Sequence, residues 1–364
     1  MLNVSNKPLK RYDYNGACLF YLFAIVVLLV GQAIGGGVAA GLSVALGDEN
    51  IAQSGDFNGA FMIAVQLLSC AFIFLYSYFM RKKFNFAFVK PLHGDGNVSG
   101  LNALHFILPV VCAPVLLIGM YLITVWYGQL IHVMGVPDDF GALHLDTVSS
   151  VVMTVIATVF LAPVFEEITY RGVLLHGLAD GKKQITAVML SALAFTVMHM
   201  NPLQVPYQFA LGVLSAFIAL KTKRLLPSII LHSTSNISAL IIDRTALGGV
   251  LEGCVAWLID NPAAAVFITL GLFAAAGGLL FVAVKFGFTL PDAVKSKGVR
   301  SADGNAKSDV ATAPAPTYDE TSEQAQVRAI VAKQQKGNAT IMYWIATGLC
   351  IVMIIMNLVT AIIG

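Results

Sequence analysis

Two glutamates and an arginine interrupt a run of apolar residues in the middle of the chain. Glu166 and Glu167 are adjacent within the run 148–178, and Arg171 follows four positions after Glu167. On a helix, Glu167 and Arg171 share a face and can form an ion pair, whereas Glu166 projects about 100° away. The spacing predicts one neutralised glutamate and one carboxylate that is free for chemistry. A purely structural ion pair, with Glu166 kept neutral by burial, would give the same pattern.

Two later apolar runs each supply an imidazole. His199 follows Phe195 by four positions, and His232 precedes Asn236 by four, so that His232 and Asn236 share a helix face. A carboxylate, two imidazoles and an amide are the groups needed to deprotonate a water molecule and to stabilise an oxyanion. A lone histidine between membrane helices is equally typical of a packing hydrogen-bond donor. The prediction therefore rests on three neighbouring runs contributing polar groups together.

These patterns give one candidate site with two interpretations. The predicted catalytic residues are Glu166, His199, His232 and Asn236, with Glu167 and Arg171 in support. In the second interpretation, Glu166, His199 and His232 bind a divalent metal such as zinc, with a water as the fourth ligand. The residue types alone do not choose between metal-bound and metal-free water. The chain has no H-E-x-x-H sequence and no pair of aspartates within an apolar run, which excludes two other protease chemistries.

The composition around these residues is that of a membrane protein. Of the 364 residues, 57% are hydrophobic and 12% are charged, whereas an ordinary soluble domain has about 25% charged residues. The formal net charge of +2 is too small to indicate nucleic-acid binding. Five cysteines are scattered without a C-x-x-C pair, which argues against a disulfide framework or a thiolate zinc site.

Apolar runs of about the length needed to cross a bilayer as a helix, roughly 18 to 20 residues, or longer, recur along the chain. They lie near 17–46, 59–80, 101–134, 148–178, 184–200, 203–221, 225–245, 262–286 and 340–363. The sequence thus predicts an all-α, polytopic transmembrane helix bundle with about eight core spans and one C-terminal span after a polar linker. The predicted divisions are 1–15 (cytoplasmic segment), 16–100 (two transmembrane helices and a basic loop), 101–290 (transmembrane core with the motifs), 291–338 (polar, flexible cytoplasmic linker) and 339–364 (C-terminal transmembrane helix).

Basic residues lie at alternate ends of these runs, near positions 7–11, 81–83, 182–183 and 221–224. By the positive-inside rule these ends are cytoplasmic. The basic start of the chain resembles a signal peptide, but the first apolar run is too long for one and is interpreted as an uncleaved span. We therefore expect a multi-pass protein of the plasma (inner) membrane with a cytoplasmic N-terminus.

The same charges predict an offset within the site. His232 lies eight residues after Arg224, whereas Glu166 lies sixteen residues before Lys182. Straight helices that enter the membrane at equal depth would separate the two side chains by about 12 Å, at roughly 1.5 Å per residue. Prolines near the ends of these helices are expected to bend them and to absorb part of the offset.

The three patterns resemble the motifs of the CPBP intramembrane protease family, which includes the type II CAAX prenyl endopeptidases and the Abi-type bacteriocin-immunity proteins. E-E-x-x-x-R occurs at 166–171, F-x-x-x-H at 195–199 and H-x-x-x-N at 232–236, in order and on separate predicted helices. The resemblance covers roughly residues 100–245. It implies that Glu166 with His199 activates water and that His232 with Asn236 stabilises the oxyanion. Glu167 and Arg171 would orient the site.

The resemblance implies a CAAX-protease-like intramembrane endopeptidase that hydrolyses a peptide bond in or near the membrane with glutamate- and histidine-activated water. Its partners would be a membrane-associated protein or peptide substrate and the lipid bilayer, with no nucleic acid. Two alternatives stay open. One is a non-catalytic membrane scaffold or bacteriocin-immunity-type protein, in which the polar cluster only packs the bundle. The other is a proton-coupled transporter, since intramembrane glutamate and histidine also form proton relays.

Overall fold

The fold is described by a computed structural model, which covers residues 10–48, 50–80, 82–83, 103–137, 143, 145–288 and 322–363. Ten long helices follow one another in these ranges, and the predicted all-α polytopic bundle is confirmed. They are α1 (Tyr14–Leu46), α2 (Gly55–Phe79), α3 (Leu104–Val133), α4 (Val148–Gly181), α5 (Gln184–Met198), α6 (Val205–Thr222), α7 (Leu226–Arg244), α8 (Ala246–Asp260), α9 (Pro262–Val282) and α10 (Ser322–Ile363). The backbones of Lys10–Arg11 and Lys82–Lys83 form a two-residue parallel pairing.

Within the described ranges, seven helices are long and apolar enough to cross a bilayer, and α5 and α7 are shorter apolar helices. These nine helices correspond to the nine predicted runs, and the chain is an integral membrane protein. Large apolar side chains such as Val44 and Phe267 are exposed on the outer faces of the helices, as expected for contact with lipid. The helix α8 has no predicted counterpart, because its three glycines and one glutamate made residues 246–260 resemble a loop.

The helix α10 packs with one face against α1 and α5. The hydroxyl groups of Tyr14 and Thr340 lie 2.8 Å apart, and the Tyr343 hydroxyl donates to the Leu190 carbonyl of α5 over 2.7 Å. The buried side chains on this face of α10 are Ala339, Tyr343, Ala346, Thr347 and Cys350. They join a core formed with side chains of α1, α3, α4, α5 and α6. The helix is therefore part of the core and not an addition to it.

The start of α10 differs from the prediction. The sequence predicts a flexible linker over 291–338 and a span from 339, whereas the helix runs from Ser322 to Ile363. Its first part is rich in glutamate, glutamine, alanine, arginine and lysine, which favour helix formation. These residues are too polar for a membrane span and cover most of the segment 319–334, which the sequence allows as a short surface helix. That helix and the predicted span are continuous. The remainder of the predicted linker, 291–321, lies outside the described residues.

The remaining helices surround the predicted motif segments. Helix α3 packs against α7 and α9, α5 packs against α6, and α2 packs against the first part of α4. The N-terminal ends of α2 and α4 are joined by Asp56, whose Oδ1 accepts hydrogen bonds from Thr147 and Ser149, each over 2.6 Å. This arrangement holds α4, the helix that carries both glutamates, between α1, α2, α5 and α7.

Candidate active site

Helix α4 departs from regular α geometry at Ile156–Leu161, where a π-helical section precedes Pro163. The Ala162 amide donates to the Ala157 carbonyl, five residues back, so the Thr158 carbonyl loses its usual partner. The next amide in that register belongs to position 163, and proline has no N–H. The Asn236 side chain of α7 takes this place, since its Nδ2 donates to the Thr158 carbonyl over 2.7 Å. The asparagine of the third motif therefore joins α7 to α4.

Glu167 is fully buried and its carboxylate has three partners. Arg171 Nη1 lies 3.2 Å from Oε1, which confirms the predicted pairing of these two residues. The Ser215 hydroxyl of α6 donates to Oε2 over 2.7 Å, and His232 Nδ1 lies 3.2 Å from Oε1. A buried charge is tolerated only when it is paired and hydrogen-bonded, and this carboxylate meets that condition. Glu167 thus links α4 to α6 and α7.

The Phe195 ring of α5 lies at the centre of the cluster. The guanidinium carbon of Arg171 lies 4.3 Å from its ring centroid, a cation–π contact. His199 and His232 pack edge-on against the same ring, with centroid separations of 4.9 Å and 5.4 Å. Arg171 also donates to the Gly212 carbonyl over 3.2 Å. One aromatic ring therefore sets the relative positions of a guanidinium and two imidazoles.

The second glutamate, Glu166, faces both imidazoles. Its Oε2 lies 4.0 Å from His199 Nε2 and 3.8 Å from His232 Nε2. No described residue donates a hydrogen bond to this oxygen, although it is buried. The separations exceed the 2.7 to 3.2 Å of a direct hydrogen bond, by about 0.6 Å or more. They suit an arrangement in which one water molecule contacts all three atoms.

The hydrogen bonds of the two imidazoles fix which nitrogen of each carries the proton. His199 Nδ1 lies 2.9 Å from the Phe195 carbonyl, and a carbonyl only accepts, so Nδ1 is the donor. His232 Nδ1 donates in the same way to the Glu167 carboxylate. In the neutral rings, Nε2 is then the bare nitrogen. Both bare nitrogens face the same carboxylate oxygen of Glu166.

Glu166 lines a small cavity of about 60 Å³ between α1, α2 and α4. Most of the wall is apolar, and the side chain of Gln66 on α2 lines the cavity together with Glu166. A wider groove of about 300 Å³ between α1 and α2 shares Val65 with this cavity. Its other lining residues are also apolar or glycine: Gly31, Ile34, Gly35, Val38, Phe57, Ala60, Phe61, Ala64 and Leu68. The groove and the cavity therefore adjoin at Val65, and Glu166 lines the cavity but not the groove.

The three donors do not have the spacing of a metal site. Zinc bonds of about 2.0 to 2.2 Å place tetrahedral ligand atoms roughly 3.3 Å apart. The Glu166 oxygen lies 3.8 Å and 4.0 Å from the two histidine nitrogens. Among the residues that the structure describes, no group of three or more histidine, cysteine, aspartate or glutamate side chains could hold a metal ion. The set predicted for zinc, Glu166, His199 and His232, does not fit the metal in this arrangement.

The predicted offset of about 12 Å between Glu166 and His232 is absent, because the two side chains meet within 3.8 Å. The prediction used Arg224 as a marker of the membrane surface. Arg224 is in fact only 2% exposed, and its guanidinium donates to the Lys223 carbonyl over 2.9 Å. Lys223 ends α6 in a left-handed conformation (φ 50°). Arg224 therefore lies inside the bundle and does not mark the membrane surface, whereas Lys221 and Lys223 of the same turn are exposed.

Three contributors to this cluster were not identified from the sequence: Ser215, Gly212 and Gln66. A Cβ atom at Gly212 would lie 3.1 Å from Ala192 and 3.3 Å from Phe195, so a glycine permits the close contact of α5 and α6. Small and hydroxyl-bearing residues at helix interfaces are the signal for such contacts in membranes. That signal marks Gly212 and Ser215 as interfacial but does not say which partner they meet.

Comparison with known proteins adds one match. Residues 148–238 match a family model described as Rce1-like, type II CAAX prenyl endopeptidase Rce1-like. The matched segment runs from the start of α4 into α7 and contains all three motifs. No curated protein and no solved structure matches the chain. The family resemblance seen in the motifs is thus confirmed, and residues 148–238 carry the Rce1-like type II CAAX prenyl endopeptidase domain of the CPBP family.

Proposed function

We propose that this protein is an intramembrane endopeptidase that hydrolyses a peptide bond with a water molecule activated by Glu166 and His199. The observation that carries the proposal is the convergence of three side chains from different helices. Glu166 Oε2 lies 4.0 Å from Nε2 of His199 and 3.8 Å from Nε2 of His232. A water molecule held between these atoms can donate one hydrogen to Oε2 and the other to His199 Nε2.

The proposed reaction moves one proton in a closed cycle. Glu166 accepts a proton from the water molecule as the water oxygen bonds to the carbonyl carbon of the substrate. His199 Nε2 accepts a hydrogen bond from the other hydrogen of the same water. The tetrahedral oxyanion then expels the amine as the carbon–nitrogen bond breaks. The proton held by Glu166 passes to the leaving nitrogen, which restores the carboxylate. The scaffold and transporter alternatives require no such arrangement of two imidazole nitrogens around one carboxylate oxygen.

His232 and Asn236 are proposed to stabilise the oxyanion. His232 can donate from Nε2 only as the imidazolium ion, because its Nδ1 proton is directed to Glu167. The Glu167 carboxylate supports that charge, and its own charge is balanced by Arg171. Asn236 uses one amide hydrogen on the Thr158 carbonyl, and its second remains for the substrate. Glu167 and Arg171 would thus orient and charge the site without touching the substrate.

The proposed substrate is a membrane-associated protein or peptide, cleaved in or near the cytoplasmic half of the bilayer. The apolar groove, which shares Val65 with the cavity that Glu166 lines, supports a partner that arrives from the lipid. We further propose a plasma (inner) membrane location with the N-terminus in the cytoplasm, supported by the alternating basic residues near positions 7–11, 81–83, 182–183 and 221–224.

The test compares the wild type with Glu166→Gln, which keeps the size of the side chain and removes the base. Membranes of cells that express either protein are analysed by mass spectrometry for new peptide termini, and matching synthetic peptides are then offered to purified protein. Cleavage is expected to fall by about 10²- to 10⁴-fold in the variant. Thr360→Val is the matched control, because Thr360 bonds only within its own helix. Equal cleavage by wild type and Glu166→Gln would reject the proposal and favour the scaffold alternative.

A further inference from the structure

Helix α5 ends in a strained turn immediately after the candidate catalytic imidazole. His199 caps the helix, and Met200 follows it with φ 52°, a left-handed conformation that is unfavourable for a side chain of this size. Met200 is also buried. Such conformations persist only where the surrounding structure holds them, and they cluster at functional sites. Something must therefore hold the backbone at Met200.

A contact from outside the family domain holds this backbone. Asn357 of α10 donates from Nδ2 to the Met200 carbonyl over 3.1 Å. The same helix is bonded to α5 a second time, through the Tyr343 hydroxyl and the Leu190 carbonyl at 2.7 Å. The two contacts fix α5 at its middle and at its end. Neither Tyr343 nor Asn357 lies within the matched segment 148–238.

The turn at Met200 controls the direction of the His199 ring. His199 Nδ1 bonds back to the Phe195 carbonyl at 2.9 Å, while Nε2 points to Glu166. His199 is itself the capping residue, so rotation of the next peptide group would move its backbone and turn the ring. A displacement of about 1 Å at a catalytic group is enough to cost a large factor in rate.

We propose that Asn357 is a positioning residue for His199: its hydrogen bond to the Met200 carbonyl keeps the left-handed turn and thereby directs the imidazole to Glu166. The effect of Asn357 on cleavage rests on the proposed function. Its effect on the direction of the His199 ring does not. Asn357 contacts none of the reacting groups described above. It acts through the backbone of the residue that follows the imidazole.

The test uses the full-length protein with Asn357→Leu, a change of similar volume that removes the donor. Two readouts are measured: kcat and KM for cleavage, and the rate at which diethyl pyrocarbonate acylates His199, followed by mass spectrometry. We expect kcat to fall about tenfold with KM nearly unchanged, and the acylation rate to change about threefold or more, since both follow the placement of one ring. Thr360→Val, one turn away on α10, should alter neither.

A second substitution separates positioning from general damage to the fold. Met200→Gly removes the penalty of the left-handed conformation, because glycine adopts φ 52° freely. Because Met200 is buried, Met200→Gly alone is the reference, and in that background Asn357→Leu is expected to change kcat and the acylation rate far less than in the wild type. Unchanged readouts in Asn357→Leu alone, or an equal effect of Asn357→Leu in both backgrounds, would overturn the proposal. If the wild type cleaves no peptide but Asn357→Leu still alters the acylation rate of His199, the positioning role is retained and the proposed endopeptidase activity is rejected.

Discussion

The contact between Asn236 and the Thr158 carbonyl has a consequence for stability that can be measured. Asn236→Ala removes the donor and leaves a partly buried carbonyl unpaired, because the π-helical section and Pro163 have already removed its backbone partners. Hydrogen bonds between membrane helices contribute about 0.6 kcal/mol on average and up to about 1.7 kcal/mol. Leaving a buried acceptor unpaired raises the cost to about 1 to 3 kcal/mol. We therefore expect a loss of about 1 to 2 kcal/mol in the free energy of unfolding.

The cause of this loss can be isolated with Pro163→Ala, which supplies the N–H that position 163 lacks. In that background the Thr158 carbonyl gains a backbone partner, so Asn236→Ala should cost almost nothing. The double-mutant cycle is then expected to give a coupling energy of about 1 kcal/mol or more. Unfolding is followed by circular dichroism as sodium dodecyl sulfate is added to the protein in mild detergent. Equal costs of Asn236→Ala in both backgrounds would refute the reasoning.

The same four proteins separate the structural and catalytic roles of Asn236. If its second amide hydrogen stabilises the oxyanion, kcat should fall by about 10²- to 10³-fold in Asn236→Ala, and Pro163→Ala should not restore it. If the double variant recovers both kcat and stability, Asn236 only joins α7 to α4 and has no role in catalysis.

Three further outcomes follow from the contacts around the site. Glu167→Gln leaves the Arg171 guanidinium buried and uncompensated, so the variant should lose about 3 to 5 kcal/mol of stability, whereas the added change Arg171→Met should recover much of that loss. Cleavage should be insensitive to metal chelators and the purified protein should contain no stoichiometric zinc, as measured by elemental analysis; inhibition reversed by zinc would contradict this. Ala64→Trp fills the groove between α1 and α2 and should lower kcat/KM without lowering Tm, whereas Val44→Trp on the lipid-facing surface should change neither.

The parts of the site that could be predicted are those set by spacing along one helix. Glu167 and Arg171 are paired as expected, since positions four apart on a helix are neighbours whatever surrounds them. The nine apolar runs also correspond to helices, because a bilayer imposes length and hydrophobicity on every span. The family followed from three motifs that stand in order along the chain, and the match over 148–238 confirms it.

The parts that could not be predicted depend on contacts between distant segments. The depth of His232 relative to Glu166 was misjudged because Arg224 is charged and still buried, a fact that no local pattern reveals. Asn357 and Met200 are 157 residues apart, and neither has a sequence signal that points to the other. The sequence allows a short surface helix over 319–334, but not its continuity with the last span, since hydropathy identifies spans and not helices that continue outside them.

Helix α10 follows the family domain along the chain, so its contacts with α5 form after that domain has been synthesised. Chains are inserted into the membrane from the N-terminus, so the segment 148–238 is made before Tyr343 and Asn357 exist. A nascent chain that stops between α7 and α10 contains Glu166, His199, His232 and Asn236, yet nothing from α10 holds the carbonyl of Met200. If Asn357 positions His199 as proposed, such a half-made protein carries every motif residue and remains a poor hydrolase. Its activity is then delayed until synthesis has passed beyond the domain that performs the chemistry.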